Sequence, residues 1–512
     1  MHFSKLHSAQ INMLKAYIID IEVDISKNTL NAFSIVGLPD KAIEESKDRV
    51  SAAIKNNGFK SPKSKNQKVI VSLAPASIKK EGPNFDLGIA IAYLLASGDI
   101  DFNPDKKIFL GELTLDGNLR KIDGTLSLIR KAKELDFEEV YLPIENAKEG
   151  ALVGGIKIFG VKNIKEIIKH FSNLESEKDF CLKTQIQTKI NYNKSLPVID
   201  FSDIKGQELA KRGLEIAASG GHNIAMYGPP GTGKTMLAKA FCYILPPLSF
   251  KEILETTSIH SIAGTLKEDL IIQAPFRSPH HTASYVALVG GGASPKPGEI
   301  TLAHKGVLFL DEFPEFEKRA LEALRQPLED GVINISRSRG STSFPADFIL
   351  IATMNPCPCG NYGTKKECIC SPIQLTNYQR KISGPIIDRI DMWVEVANID
   401  HHKLSEKDDS LEKTNIIKKR VEEARNIQEK RFKNSKSKFN SNMSAKDIEK
   451  MIDLDTKTKD ILNQSATQLE LSARAYHKII KLAQTIADLN QSKKILPEHI
   501  LEALQYRPKK VF

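Results

Sequence analysis

Three short runs of this chain end in residues suited to phosphate chemistry. Gly228, Pro229, Pro230, Gly231, Thr232, Gly233, Lys234 and Thr235 follow the spacing G-x-x-x-x-G-K-[ST]. Residues 223–227 before them read as a short buried strand, and residues 236–245 after them place apolar side chains at helical spacing. In that setting glycines let backbone N–H groups close around phosphate oxygens at a helix N-terminus, where aligned peptide dipoles favour anions. Lys234 would hold the β- and γ-phosphates, and the Thr235 hydroxyl would bind Mg²⁺. The second run, residues 306–313, is apolar up to Leu310 and then presents Asp311 and Glu312. Asp311 is expected in the Mg²⁺ shell, and Glu312 is expected to orient or deprotonate the attacking water. The third run, residues 348–355, is apolar and closes on Asn355. Strand ends of a parallel sheet meet at the ligand crevice, so Asn355 can position that water opposite Glu312. These residues together imply binding and hydrolysis of a nucleoside triphosphate, ATP being the expected one.

Cys357, Cys359, Cys368 and Cys370 form two C-x-C pairs directly after Asn355. Four thiolates so close in sequence can surround Zn²⁺ tetrahedrally, although the usual spacing inside a pair is two residues or more. The alternative is four inert, packed cysteines. A closed structural site is the expectation, since nothing suggests an open ligand position. Cys181 and Cys242 stand apart. His280 and His281 are adjacent without nearby carboxylates in sequence, and are read as structural rather than as metal ligands.

The elements that must position these groups fall into blocks. Residues 1–172 alternate strand-like runs with amphipathic helices, and residues 173–198 turn polar, as a linker does. Residues 199–400 hold the nucleotide block. Residues 401–443 are strongly charged and are expected to be a second linker, and residues 444–512 carry helical periodicity. At 512 residues, with 41% hydrophobic content, about three domains are expected. No apolar run approaches the roughly 20 residues that span a bilayer. The first residues lack the apolar stretch of a secretion signal, so no membrane and a cytosolic location are expected. A net charge of +10 permits a polyanionic partner without requiring one.

Several tokens carry a resemblance to a known family: residues 276–282 (FRSPHHT), 325–331 (RQPLEDG), 352–360 (ATMNPCPCG) and 383–391 (SGPIIDRID). The nucleotide block resembles the AAA+ ATPase of the magnesium-chelatase type, and the whole chain resembles the bacterial YifB/ComM family of magnesium-chelatase-like competence proteins. The resemblance implies an α/β protein with a Lon-protease-like α+β domain at the N-terminus, an AAA+ P-loop domain built on a parallel sheet, and a C-terminal helical lid. It implies an ATP-driven homo-hexameric DNA helicase that promotes branch migration during natural transformation, with single-stranded or branched DNA and recombination proteins as partners. A chelatase-type ATPase that remodels a protein partner is the alternative.

The same resemblance implies roles for particular residues. Arg389, between Asp388 and Asp391, resembles the arginine finger that one ring subunit offers to its neighbour's γ-phosphate, and Arg474 resembles the second sensor arginine of the lid. Insertions at two places project into the pore in ring helicases of this broad class. Here these are the stretch containing residues 277–292 and the hairpin-like residues 332–342, where Arg337 and Arg339 would track a phosphate backbone. In the Lon-like block, Asn84 or Asp86 stands at the position of the nucleophilic serine, and Leu126 falls near that of the lysine. A Ser–Lys dyad needs a hydroxyl and a proton-accepting amine, so the block is read as non-proteolytic.

Overall fold

The computed structural model describes the chain apart from residues 1, 13–14, 64–65, 173–179, 189–197, 267–269, 293–295, 338–339, 364–365, 399–410 and 509–512. Its residues group into two compact units: Met1–Asn191 with Ile253–Ile271, and Tyr192–Glu252 with Ile272–Phe512.

The first unit is built on a seven-stranded mixed sheet. Phe3–Asn12 and Lys15–Lys27 pair as an antiparallel hairpin, and Gln67–Ala74 adds antiparallel to the second of these strands. The remaining strands, Ala32–Val36, Lys107–Phe109, Glu139–Pro143 and Lys157–Val161, join in parallel. Strand Gln67–Ala74 alternates buried and half-buried positions, the pattern of a sheet with one face on a core. Helix Asp86–Ser97 lies on that core with its Leu87, Ile89, Ile91 and Leu94 fully enclosed. Segment Ile253–Ile271 belongs to this unit although it lies within the expected nucleotide block. Its Leu254 and Leu270 pack against the core cluster that includes Leu126, Ile129 and Leu142. Its Ser261 hydroxyl accepts from the Gly124 N–H at 2.8 Å and donates to Glu149 at 3.2 Å.

The second unit carries a five-stranded parallel sheet in the order Phe276–Arg277, Val307–Leu310, Ile349–Met354, Ile224–Tyr227, Met392–Glu395. Its central strands are buried along their whole length, which is why they read as continuous apolar runs rather than as alternating ones. Register fixes the site: Tyr227 lies opposite Met354, and Leu310 lies opposite Ala352. The residues that follow each strand, Gly228, Asp311 and Asn355, therefore emerge at one edge. Helices Glu208–Gly220 and Lys234–Ile244 cover the sheet with Leu214, Ala217, Leu237 and Phe241. The C-terminal region is helical as expected: Ala445–Met451, Thr456–Gln468, Ala473–Leu489 and Pro497–Gln505.

The charged stretch 401–443 is not simply a linker. Residues 399–410 are outside the described residues, but Thr414–Arg431 is an 18-residue helix. Its Ile417, Val421, Ala424 and Gln428 form a buried stripe at helical spacing under a charged outer face. Arg425 donates to the Ala218 carbonyl through Nε at 2.9 Å and Nη2 at 2.6 Å, and its guanidinium stands 3.7 Å from the centre of the Phe439 ring. The expected hairpin is present as Val332–Arg337 paired antiparallel with Gly340–Pro345. Arg337 has its backbone in this ladder, whereas its side chain and the whole of Arg339 lie outside what the structure describes. Among the described residues, no helix is long and apolar enough to cross a membrane.

Candidate nucleotide site

The phosphate loop bends through two glycines with positive φ, Gly231 at 78° and Gly233 at 89°, and Gly233 leads into helix Lys234–Ile244. A left-handed backbone at these points costs glycine little and other residues more. Gly228 is required for another reason: a Cβ there would stand 2.1 Å from the Val396 carbonyl oxygen.

Lys234 is buried, and its ammonium donates to the carbonyls of Gly228 and Pro229 at 2.7 Å each, with the Asn355 Oδ1 at 3.4 Å. Burial pulls its pKa below the ordinary lysine value, and the Asp311 carboxylate works against that shift. The Thr235 hydroxyl donates to Asp311 Oδ2 at 3.1 Å. These are two hard oxygen donors side by side, the donor set that Mg²⁺ takes beside phosphate oxygens. The other Asp311 oxygen accepts from the Thr353 hydroxyl and, at 3.0 Å, from the Glu312 N–H. Glu312 adopts a left-handed backbone, φ 52°, which turns its side chain away from the run of the strand. Asn355 is fixed from behind, where the Tyr378 hydroxyl donates to its carbonyl at 3.2 Å. Lys234, Thr235, Asp311 and Asn355 thus converge, as three strand ends in register must, with Glu312 following Asp311 in the chain.

Arg389 and Arg474 are elsewhere. The Asn223 amide donates to the Arg389 carbonyl at 3.2 Å, and Asn223 precedes strand Ile224–Tyr227 whereas the phosphate loop follows it. Four strand residues, roughly 13 Å, separate the two ends. The Arg389 guanidinium is bonded to the carbonyls of Arg325 at 3.2 Å and Pro385 at 2.8 Å and pairs with Glu329. Arg389 and Arg474 share the lining of a cavity of about 1490 Å³ with Lys478 and Lys481. Lys478 donates to the Ile390 carbonyl at 2.9 Å and so ties the helix bearing Arg474 to the segment bearing Arg389. The two arginines line one cavity, and the phosphate loop of their own chain is not part of its lining.

The cysteines do converge. The sulfurs of Cys357, Cys359, Cys368 and Cys370 all lie within 4.8 Å of one another. Separations are 3.3 Å for Cys357–Cys359, 3.7 Å for Cys357–Cys368 and 3.6 Å for Cys359–Cys368. Thiolates about 2.3 Å from a tetrahedral Zn²⁺ stand roughly 3.8 Å apart, so the cluster fits that ion. The Asn361 backbone N–H leads a set of hydrogen bonds that lower the Cys359 thiol to about 6. The knuckle also touches the nucleotide site, because a Cβ on Gly360 would meet Pro230 Cδ at 2.7 Å.

In the first unit, Asp86 is fully buried and accepts from Arg49 Nε at 2.7 Å and from the Leu113 N–H at 3.2 Å. Leu126 is enclosed in the core. Neither position offers the hydroxyl or the amine of a Ser–Lys dyad.

Two contributors escaped the sequence reading, and a third, His281, reads there as structural for want of a nearby carboxylate. Thr353 hides inside an apolar run, where a lone hydroxyl gives no signal. Gln207 donates to the Ala397 carbonyl at 2.6 Å and the Thr232 carbonyl at 3.3 Å, linking the loop to the segment after the last strand. His281 places Nδ1 3.0 Å from a Glu312 carboxylate oxygen. Strand adjacency could have found it, since it follows the strand next to that of Glu312 by four residues.

Comparison with known proteins adds the following. Residues 200–404 match the family described as "Magnesium chelatase, subunit ChlI", residues 21–146 match "Subunit ChlI of Mg-chelatase", and residues 411–507 match "Magnesium chelatase, subunit ChlI C-terminal". The competence protein ComM of Haemophilus influenzae is 41% identical over 499 residues, 96% of this chain and 95% of its own length. The YifB protein of Salmonella typhimurium is 40% identical over 99% of this chain and 97% of its own length. That of Escherichia coli is 39% identical over the same shares, 99% and 97%.

Proposed function

This chain belongs to the magnesium-chelatase-like AAA+ family that includes the competence protein ComM and the YifB proteins, and from that premise we propose that it is an ATP-driven motor that moves DNA. The observation that carries the reading is the convergence of Lys234, Thr235, Asp311 and Asn355 at one edge of the parallel sheet, with Glu312 next to Asp311. Lys234 exchanges its carbonyl bonds for the β- and γ-phosphates. Thr235 and Asp311 would hold Mg²⁺, which when bound screens phosphate charge. Asn355 orients the attacking water, and Glu312 accepts its proton. Arg389 and Arg474, remote from their own phosphate loop, serve the γ-phosphate of a neighbouring subunit, which makes a homo-hexameric ring the working form. The cysteine knuckle holds a structural Zn²⁺ that stiffens the loop against Pro230.

The DNA part of the proposal rests on full-length similarity to a protein named for competence and on the net charge of +10. The substrate is single-stranded or branched DNA, the outcome branch migration in recombination during natural transformation, and the place of action the cytosol beside recombination proteins. The N-terminal unit is a non-proteolytic assembly or DNA-handling module. A second reading has its own support: every matched family model is that of a chelatase subunit, whose AAA+ core would remodel a protein partner.

Purified protein given ATP and a synthetic branched DNA separates the two. DNA-stimulated hydrolysis with movement of the branch point is the expected result. Replacing Arg337 and Arg339 together with alanine should lower the salt slope of DNA binding by at most about two charges. It should slow branch movement more than binding and leave ATP binding intact. Hydrolysis that never moves any branched or forked DNA would favour the remodelling reading.

A further inference from the structure

Asn223, just before strand Ile224–Tyr227, bonds through all of its polar atoms. Its carbonyl accepts from the N–H groups of Asp391 and Met392 at 3.0 Å each, and its own N–H donates to the Asp391 carboxylate at 3.0 Å. Its side-chain oxygen accepts from the Leu350 N–H at 2.9 Å, while its side-chain nitrogen donates to the Arg389 carbonyl at 3.2 Å. One short side chain thus joins the starts of two strands to the main chain of Arg389. The same two strands lead, at their far ends, into Gly228 and Asn355, where the Gly228 N–H donates to the Met354 carbonyl at 3.2 Å. Rigid elements bonded in register carry displacement from one end to the other.

The Arg389 segment is held from a second side. Helix Ala473–Leu489 carries Arg474 and, one turn on, Lys478, whose ammonium donates to the Ile390 carbonyl at 2.9 Å. Residues four apart share one face of a helix, so this tie and Arg474 move together. The bonds of the Arg389 guanidinium to the Arg325 and Pro385 carbonyls and to Glu329 aim the side chain. The two main-chain ties seat the backbone that bears it. Seating matters because a charge misplaced by about 1 Å can lose about 10²-fold in rate.

We propose that Asn223 and Lys478 are positioning residues for Arg389. They seat its backbone between the strands that end in the phosphate loop and Asn355 and the helix that bears Arg474. The arginine that a subunit offers to its neighbour thereby follows the state of that subunit's own site. The inference rests on the trans role proposed above for Arg389.

The test is steady-state ATPase of the full-length protein, alone and in equal mixtures after subunit exchange. Asn223→Asp keeps the acceptor for the Leu350 N–H and deletes the donor to Arg389. It should lower kcat about two- to tenfold, the worth of one hydrogen bond, and keep KM for ATP. Lys478→Met should act alike, and Lys478→Arg, which keeps a donor, should restore most of the loss. Arg389→Ala should cost more, about 10³-fold. Mixtures separate a badly seated arginine from general damage. With Lys234→Ala, whose arginine is intact, Asn223→Asp should exceed the mean of the two proteins alone, because its sound loop meets that arginine. With Arg389→Ala it should not exceed the mean. Wild-type kcat in either Asn223→Asp or Lys478→Met, beside an impaired Arg389→Ala, would overturn the seating. So would recovery above the mean with Arg389→Ala, since Asn223 would then serve its own phosphate loop. If Asn223→Asp does not fold, Lys478→Met in the same mixtures decides. A fully active Arg389→Ala protein would instead sink the trans reading, and the seating with it.

Discussion

Lys234 and Glu312 both belong to the proposed nucleotide site, yet they should fail differently when replaced. Lys234 is buried and bonded only to carbonyl and amide oxygens, so its ammonium is a donor set ready to be turned to phosphate. Lys234→Ala should weaken nucleotide binding, measured by titration with a fluorescent ATP analogue. Glu312 is exposed and does not help to hold Thr235 or Lys234, so Glu312→Gln should keep nucleotide affinity and slow hydrolysis by about 10²-fold or more. Equal turnover in wild type and Glu312→Gln would remove Glu312 from the water-activating role. Asp311 depends on Thr353, whose hydroxyl bonds one carboxylate oxygen while Thr235 bonds the other. Thr353→Val keeps the shape and deletes that bond, and should raise the Mg²⁺ concentration needed for half-maximal ATPase without lowering the plateau.

At the level of elements, the knuckle and the sheet differ in what residue type alone could say. The three strands beneath the site were legible because parallel strands buried on both faces are unbroken apolar runs, and the glycine loop, carboxylate or amide that follows each one marks its end. Four cysteines in fourteen positions were equally plain, and they converge. Helix Thr414–Arg431 was not legible, because its charged outer face outweighs a buried stripe of Thr414, Ile417, Val421, Ala424 and Gln428, two of them polar. The proximity of His281 to Glu312 was not legible either, because the two are 31 residues apart in sequence and meet across neighbouring strands. The knuckle makes the prediction of this scale. Elemental analysis should find about one Zn²⁺ per chain, and Cys357→Ser with Cys359→Ser should lose it. Since Gly360 lies against Pro230, the metal-free protein should also bind ATP less tightly. Full ATP affinity after metal loss would reduce the knuckle to a separate structural feature.

For the whole molecule, the proposed trans role of Arg389 and Arg474 makes catalysis depend on more than one chain, and that dependence can be tested. A mixture of Lys234→Ala and Arg389→Ala proteins contains some interfaces in which an intact loop meets an intact arginine. Such mixtures should recover part of the ATPase activity that each variant lacks alone, with a maximum near equal proportions. An Arg389→Ala protein fully active as a dilute monomer would exclude both the trans role and the ring.

The passage of Ile253–Ile271 into the N-terminal unit bears on how the protein is made. Sixty-odd residues of the other unit are translated before that segment leaves the ribosome, so the first unit waits several seconds at roughly 5–20 residues per second. Until then the core cluster that includes Leu126, Ile129 and Leu142 lacks the side chains of Leu254 and Leu270 that pack on it. The Gly124 N–H and the Glu149 carboxylate likewise lack Ser261. A nascent chain halted at residue 191 should therefore be cut readily by protease, and one halted well past residue 271 should resist. Equal resistance at both lengths would mean that the first unit closes without its late-arriving piece. Gene fragments cut at the end of the N-terminal block inherit the same defect, so the two units cannot be exchanged between relatives as beads on a string.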